Sequence, residues 1–508
     1  MTKLSEILRG VKIINRFGDL DIEIQGITDD SREVKVGYVF VCIPKAYESE
    51  YARWTYRTDG HDYVSDAIRN GASAIIIQKP MSEISQPKNN ELSFKKVAFV
   101  QVDDTRVALA KMSIEFHDNP SRKLKVIGVT GTNGKTSTCY LARSILAAGG
   151  IDTAILGTII QHIGGKDISA NMTTIEAHRL QKILHDIVKE GLEAVVMEVS
   201  SHALELKRAD GIEFDAAVFT NLTQDHLDFH NGMTGYLEAK TKLFRDLGIY
   251  NKKAYAIINA DDPYSEYIMQ NTSAEVITYA VDNKADVKVK DYHSTADGLS
   301  FWVSINKKDE VEVKLQLLGE YNLYNALAAM SIGISQGLSM DVIKYGLENT
   351  GIVPGRFERV DCGQDFTVVV DYAHTPDALE RALTSARKLA KSKIITVFGC
   401  GGDRDRGKRP IMGDVVTKLS DYAIVTSDNP RTEDPMEIIS QILAGITNGE
   451  YEVIPDRRDA IRRAIEISEK GDFVVIAGKG HEDYQIIKGE KIHFDDREVA
   501  REAIETRT

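Results

Sequence analysis

Residues 125–148 run from the β-branched segment KVIGVT through the loop GTNGK into TSTCYLARSILAA, a helical pattern. Few folds accept that order of buried strand, small-residue loop and helix. Small residues let backbone N–H groups close on an anion, and a helix N-terminus adds a favourable dipole. The loop residues Gly131, Thr132, Asn133, Gly134, Lys135, Thr136 and Ser137 are therefore candidate phosphate contacts. Lys135 would neutralise phosphate charge, and the Thr136 hydroxyl would ligate Mg²⁺. The spacing departs from GxxxxGK[ST], because Val129 stands where the first glycine belongs. A glycine-rich turn with an exposed lysine is the bland alternative, and the strand before the loop argues against it.

The same alternation recurs along the chain. AVVMEV (194–199) and AAVFTNL (216–222) are continuous apolar runs ending in polar residues, as buried parallel strands do. FTVVVDYAHTP, KIITVFGCGGDRD, YAIVTSDNPR and FVVIAGKGHE repeat the pattern after residue 365, with helical segments such as PDALERALTSARKLA between them. The expected class is α/β. Two polar, proline-bearing segments, HDNPSRKLK (117–125) and NTGIVPGRFERV (349–360), divide the 508 residues. Three domains are expected: 1–120, a central P-loop parallel-sheet domain over 121–352, and a C-terminal Rossmann-like doubly wound domain over 353–508. Ligands of such sheets bind at the carboxyl ends of the strands, so the chemistry belongs in the polar loops.

A net charge of −13 disfavours a broad nucleic-acid surface, which needs clustered Lys and Arg. No apolar stretch approaches the roughly 18–20 residues that span a bilayer, and the first residues, MTKLSEILRGVKI, lack a signal-peptide core. The four cysteines lie far apart without CxxC spacing. They read as reduced thiols of a cytoplasmic protein.

TGTNGKTS resembles the nucleotide loop of the Mur ligases, and further motifs follow in order. They are MEVSSHAL (197–204), FTNLTQDHLDFH (219–230), YLEAKTKLF (236–244), LLGEYNLYNALAA (317–329), PGRFERV (354–360), DYAHTPDAL (371–379), GCGGDRDRGKRPIMG (399–413), SDNPR (427–431) and AGKGHE (477–482). Together they are similar to the branch of that family that adds the third peptide residue. The resemblance implies an ATP-dependent ligase of peptidoglycan synthesis, a monomer, working through an acyl phosphate. Its implied substrates are UDP-MurNAc-L-Ala-D-Glu and meso-diaminopimelate.

The resemblance also assigns residues. Glu198 and His226 would bind a second Mg²⁺, with Thr136 on the first. From its residue type alone, His226 reads equally well as a hydrogen-bonded loop histidine, since Mg²⁺ prefers oxygen. Lys240 alone reads as a solvated helix lysine; in the family the lysine at this place carries a CO₂-derived carbamate that helps hold the metal. Lys135, Glu198, His226 and Lys240 form the implied catalytic group. Asn322, Asn325, Arg356, Asp371 and His374 match motifs that hold the nucleotide from the C-terminal domain.

Meso-diaminopimelate differs from lysine by one carboxylate, which a planar guanidinium can grip bidentately. Arg431, in Asp428-Asn429-Pro430-Arg431, suits that role, although a lone loop arginine is ordinarily solvated. Arg404 would supply a second cation, and Glu482 with the Gly478 backbone would meet the amino end. For the nucleotide-peptide, the DSR segment with Ser31 and Arg32 and the positions Thr173, Thr174, Ser200 and Arg208 match the family. Two departures stand out: Ile175 replaces a usual proline, and KAYESEYARWTYRTDGHDYV (45–64) is longer than usual. Its Tyr47, Tyr51, Trp54 and Tyr56 could stack on uridine or form a surface hairpin. A lysine-adding member, another ligase of the superfamily and a non-catalytic binding protein are the alternatives.

Overall fold

The structure, a computed structural model, describes residues 2–45, 58–84, 96–169, 172–249, 252–295, 298–306 and 309–507. Tyr47, Tyr51, Trp54 and Tyr56 of the long segment 45–64 lie outside them.

Strands buried on both faces build the centre of each sheet. Ala194–Glu198, Ala216–Phe219, Ile394–Phe398 and Phe473–Ala477 are buried along their whole length, so both faces must be covered by helices. The first sheet has five strands in the order Ile13–Phe17, Ala98–Val102, Ala72–Ile77, Tyr38–Val41, Gly26–Thr28, antiparallel only at Ile13–Phe17. The central sheet has eleven strands, with Lys125–Thr130 between Ala194–Glu198 and Ala216–Phe219, all parallel. The third has six strands, parallel except for the short edge strand Glu358–Arg359.

The expected α/β class is present, but the central sheet is not purely parallel. Its far edge is an antiparallel meander of Val287–Thr295, Gly298–Ile305 and Asp309–Leu315, and a hairpin of Ile160–Ile163 with Lys166–Ser169 lies at the other edge. Val287–Thr295 buries only Val287 and Val289 and is intermediate or exposed from Lys290 on, as an antiparallel strand that leaves the core can be.

The central core has two layers. Helices Lys135–Ala148 and Tyr321–Ser335 supply Leu141, Ile145, Leu323 and Leu327 to one face of the sheet. Helices Ala177–Lys189 and Met233–Arg245 supply Leu180, Leu184, Leu243 and Phe244 to the other. Each fully buried aliphatic side chain contributes about 1.5–3 kcal/mol, so the strand ends that carry the loops are held by a large apolar body. Among the described residues no helix is long and apolar enough to cross a membrane.

Candidate active site

The carboxyl ends of three adjacent strands set the site. Register pairs Glu198 with Val129 and Phe219 with Thr130, placing Glu198, the phosphate loop and the Thr220–Asn221 turn side by side. Val129, where a strict motif would have glycine, is a buried ladder residue of the strand.

The loop is tied to the neighbouring turn. The N–H groups of Thr132 and Asn133 donate to Asn221 O (2.9 Å) and Asn221 Oδ1 (3.0 Å), and Thr220 Oγ1 donates to Asn133 O (2.6 Å). Gly131 has φ +148, and a Cβ there would stand 1.8 Å from Thr220 Oγ1. Lys135 folds back so that Nζ donates to Gly131 O (3.0 Å) and Thr132 O (2.7 Å). Thr136 Oγ1 donates to Glu198 Oε1 (2.9 Å) and accepts from Arg356 Nη2 (3.0 Å). Arg356 lies over the Tyr372 ring at 4.6 Å, and its buried Nε has no hydrogen-bond partner among the described residues. An ammonium resting on carbonyls and a guanidinium with an orphaned donor form a cradle short of anionic oxygen. A polyphosphate fits that chemistry.

Lys240 corrects the reading of a solvated helix lysine. It is 1% exposed; Nζ donates to Gly131 O (2.9 Å) and lies 4.5 Å from the Tyr236 ring centre. Burial, with the charge of Lys135 beside it, pushes its pKa well below the usual lysine range. Glu198 accepts from the Thr158 N–H and hydroxyl (2.9 and 3.0 Å) besides Thr136. His226 takes a left-handed φ of 53 at the start of a short helix, its ring 4.6 Å from that of His202. Among the described residues no three His, Cys, Asp or Glu side chains gather as a metal cluster, and no hydrogen bond or ion pair joins His226 to Glu198. The donors that do meet, the Thr136 hydroxyl and the Glu198 carboxylate, are hard oxygens. They fit a Mg²⁺ that takes its remaining ligands from phosphate and water.

Asn322 and Asn325 were expected on the C-terminal domain, and the structure places them elsewhere. They sit at the start of Tyr321–Ser335, a helix packed on the central sheet. Asn325 Nδ2 donates to Asn322 Oδ1 (2.8 Å), and Asn325 Oδ1 lies 2.4 Å from where a Cβ on Gly134 would be. From the C-terminal side, Asp371 accepts from the N–H groups of Phe357 (2.7 Å) and Ala373 (2.9 Å), bracing the turn that presents Arg356. His374 Nδ1 bonds to Tyr372 O at 2.7 Å.

Thr173, Thr174, Ser200 and Arg208 gather beside Glu198. Thr173 and Thr158 share a hydroxyl contact (3.0 Å), Thr174 Oγ1 donates to Glu198 O (2.9 Å), and Arg208 Nη1 donates to Thr174 O (3.2 Å). Ser200 Oγ caps the following helix by accepting from Ala203 N (3.2 Å). Ser31 is buried in the first domain, where its carbonyl accepts from Asn70 Nδ2 (2.8 Å); Arg32 is exposed and pairs with Asp30.

The amino-acid loops meet at the third sheet. Arg431, also left-handed (φ 55), donates from Nη1 to Gly402 O (2.8 Å), which ties it to the loop of Arg404. Burial and then the charge of Arg431 lower the Arg404 pKa, as expected of two neighbouring guanidiniums. Pro430 and Glu433 fix the same junction: Glu433 accepts from Asp403 N (2.5 Å) and pairs with buried Arg409 (2.9 Å). Asn429 Nδ2 donates to Glu482 Oε2 (2.7 Å), and Asp428 lies where a Cβ on Gly478 (φ +122) would be 2.6 Å from Oδ2.

Sequence reasoning missed Thr158, Asn221, Asp377 and Lys479. Asn221, Asp377 and Lys479 lie inside quoted motifs, so position was a signal; Thr158 belongs to none and carried no signal.

A parallel-sheet unit with a phosphate loop, closed by a guanidinium from a second Rossmann-like unit, defines a nucleotide-binding enzyme class. Sequence patterns of the Mur ligase middle domain, the Mur ligase glutamate ligase domain and the Mur ligase family catalytic domain match residues 129–333, 355–480 and 23–117. The chain belongs to the Mur ligase family. It is 45% identical over 484 residues to the UDP-N-acetylmuramoyl-L-alanyl-D-glutamate–2,6-diaminopimelate ligase of Clostridium botulinum, covering 95% of each chain. A solved structure of a ligase of that same name aligns with a TM-score of 0.67 at 31% identity, over 99% of each chain. The MurF ligase of Thermotoga maritima in complex with ADP shares the fold at 20% identity (TM-score 0.62, covering 95% of this chain and 97% of that one).

Proposed function

We propose that this chain is the ATP-dependent ligase that joins meso-diaminopimelate to the D-glutamyl γ-carboxylate of UDP-MurNAc-L-Ala-D-Glu in cytoplasmic peptidoglycan synthesis. Three units divide the work: 1–120 for the uridine nucleotide, 121–352 for ATP, and 353–508 for the incoming amino acid. The observation that carries the amino-acid assignment is the junction of the Arg404 and Arg431 loops, with Asn429 and Glu482 beside it. Neighbouring guanidiniums favour a ligand bearing carboxylates, and Glu482 supplies the complement for an ammonium.

The mechanism follows from the site. A carboxylate is too poor an electrophile to condense with an amine, so the γ-phosphate is transferred to it first. Lys135 and Arg356 screen the two anions as they approach, the positioning and charge-stabilising role of phosphoryl-transfer residues. Thr174, Ser200 and Arg208 hold the acceptor peptide beside Glu198. Thr136 and Glu198 would hold Mg²⁺, and His226 with a carbamate on Lys240 would hold a second ion; when bound, the ions would supply charge neutralisation at the phosphates. Burial lowers the Lys240 pKa, the direction that favours the unprotonated amine carbamylation requires. The amine of the amino acid then attacks the acyl phosphate, and phosphate leaves. Arg356 and the loop of Asp371 and His374 close over the phosphates and keep water from the acyl phosphate.

Ligation of UDP-MurNAc-L-Ala-D-Glu with meso-diaminopimelate and with L-lysine, run in parallel, tests the reading. Diaminopimelate should have the higher kcat/KM, and Arg431→Ala should lose the preference. Removing one buried charge-assisted contact costs about 2–5 kcal/mol, on the order of thirty-fold or more. A preference for lysine would overturn the amino-acid assignment and leave the ligase reaction intact.

A further inference from the structure

Lys479 lies between the strand Phe473–Ala477 and Glu482, and it is 0% exposed. An ammonium has three donors, and each meets an oxygen here. Nζ donates to Glu482 Oε2 (3.1 Å), to Asn429 Oδ1 (3.4 Å) and to Tyr484 O, and it lies 5.4 Å from the Tyr484 ring centre. Asn429 closes the triangle by donating from Nδ2 to the same Glu482 Oε2 (2.7 Å). The amide cannot flip without cost, because its Oδ1 also accepts from Ile486 N (2.9 Å). Both fixed donors thus hold one carboxylate oxygen of Glu482. No described residue donates to the other, Oε1, and the side chain keeps 13% exposure.

We propose that Lys479 is a positioning residue of the amino-acid pocket, pinning Glu482 through Oε2 so that Oε1 faces the distal ammonium of the incoming diamino acid. This rests on the reading of Glu482 and the loop 428–431 as the amino-acid site. Burial already pushes the Glu482 carboxyl up, and the Asp428 carboxylate pushes the same way. Lys479 opposes both. Without it, Glu482 is left near the Asp428 carboxylate with no ammonium beside it, and turns away or takes up a proton. In either case the charged acceptor for the substrate ammonium is lost, while the arginine arm for the carboxylates stays.

The test compares meso-diaminopimelate with 2-aminopimelate, which keeps both carboxylates and lacks the distal amine, in wild type and Lys479→Met. Wild type should favour meso-diaminopimelate, and the ratio of kcat/KM values should fall at least tenfold in the variant. KM for ATP should stay within twofold, and the preference for diaminopimelate over L-lysine should persist. In a Glu482→Gln background, Lys479→Met should cost little more. Equal losses for both amino acids, or additive losses in the double variant, would overturn the role of Lys479. Lys479→Gln, which keeps amide donors, should give an intermediate ratio. If neither variant folds at the assay temperature, Lys479 is a folding residue and the proposal falls. If wild type itself does not distinguish the two amino acids, the reading of Glu482 as the amine site falls with it.

Discussion

At the scale of single residues, strain and close approach mark the candidate ligand loops. Gly131 can pass Thr220 only because it lacks a Cβ. Gly131→Ala would force either a backbone shift or loss of the Thr220 bond to Asn133, at about 1–3 kcal/mol for a non-glycine residue held in that region. KM for ATP should rise at least tenfold with little change in KM for diaminopimelate; equal binding of a fluorescent ATP analogue by both proteins would refute this. His226, Phe357, Asp403 and Arg431 are non-glycine residues with φ between 51 and 55, each within or beside a loop that carries a candidate contact. Motif and order made Lys135 and Thr136 legible. The burial of Lys240 was also partly legible: it shares a helical stripe with Tyr236, Leu243, Phe244 and Leu247, all buried, but a lysine there ordinarily reaches solvent along its own stem. Only the packing of Gly131 O and Tyr236 around Nζ removes that escape.

At the scale of elements, the strand–loop–helix rhythm indicated which loops are candidates for the chemistry, because buried strands expose only their ends. Capping agreed with it: Asp104, Ser200, Thr375, Asp434 and Asp456 each accept from the first turn of their helices. The antiparallel edges of the central sheet were not anticipated. Their alternation is weak, and pairing partners lie far off in the chain or beyond a turn. Helix Ala177–Lys189 carries a consequence for stability. His178 is 7% exposed, packed where the helix meets the first domain, and burial, aided by Arg179, lowers its pKa to about 4. The folded protein therefore keeps this ring neutral while the unfolded chain takes up a proton near pH 6.5. Its contribution is complete above about pH 6.5 and is lost as pH falls toward 4, roughly 2 kcal/mol between pH 7 and 5. Urea unfolding of His178→Gln across that range should show a flatter pH dependence than wild type. Parallel curves would show that His178 does not titrate on unfolding.

At the scale of the whole molecule, the third unit meets the second at the phosphate loop, and the proposed reaction needs that closure. Besides Arg356 on Thr136, Asp377 Oδ2 accepts from Asn133 Nδ2 of the phosphate loop (2.7 Å) and from Thr223 Oγ1 (3.1 Å), and Arg381 braces the carboxylate at 3.1 Å. Hydrogen bonds to a charged group are worth about 1.5–3 kcal/mol. Asp377→Ala should raise KM for ATP about tenfold and increase phosphate release that is not matched by tripeptide formed. Coupled turnover at an unchanged ratio would show that this latch does not govern closure.

The sequence by itself determined the α/β class, the phosphate loop, the family and the loops where ligands are expected, because strand burial, glycine freedom and motif order are local properties of the chain. It did not determine that Asn325 packs against Gly134 and Thr138 from within the central unit, with Asn322 bonded to it, that Lys240 is buried against Gly131, or that Lys479, Asn429 and Glu482 close a triangle. Those depend on pairs separated by about 50 to 190 residues, Thr138 with Asn325 and Lys479 with Asn429 among them. Only the tertiary structure decides which side chains lose water together, and burial sets both the charge state of such groups and the direction in which they point.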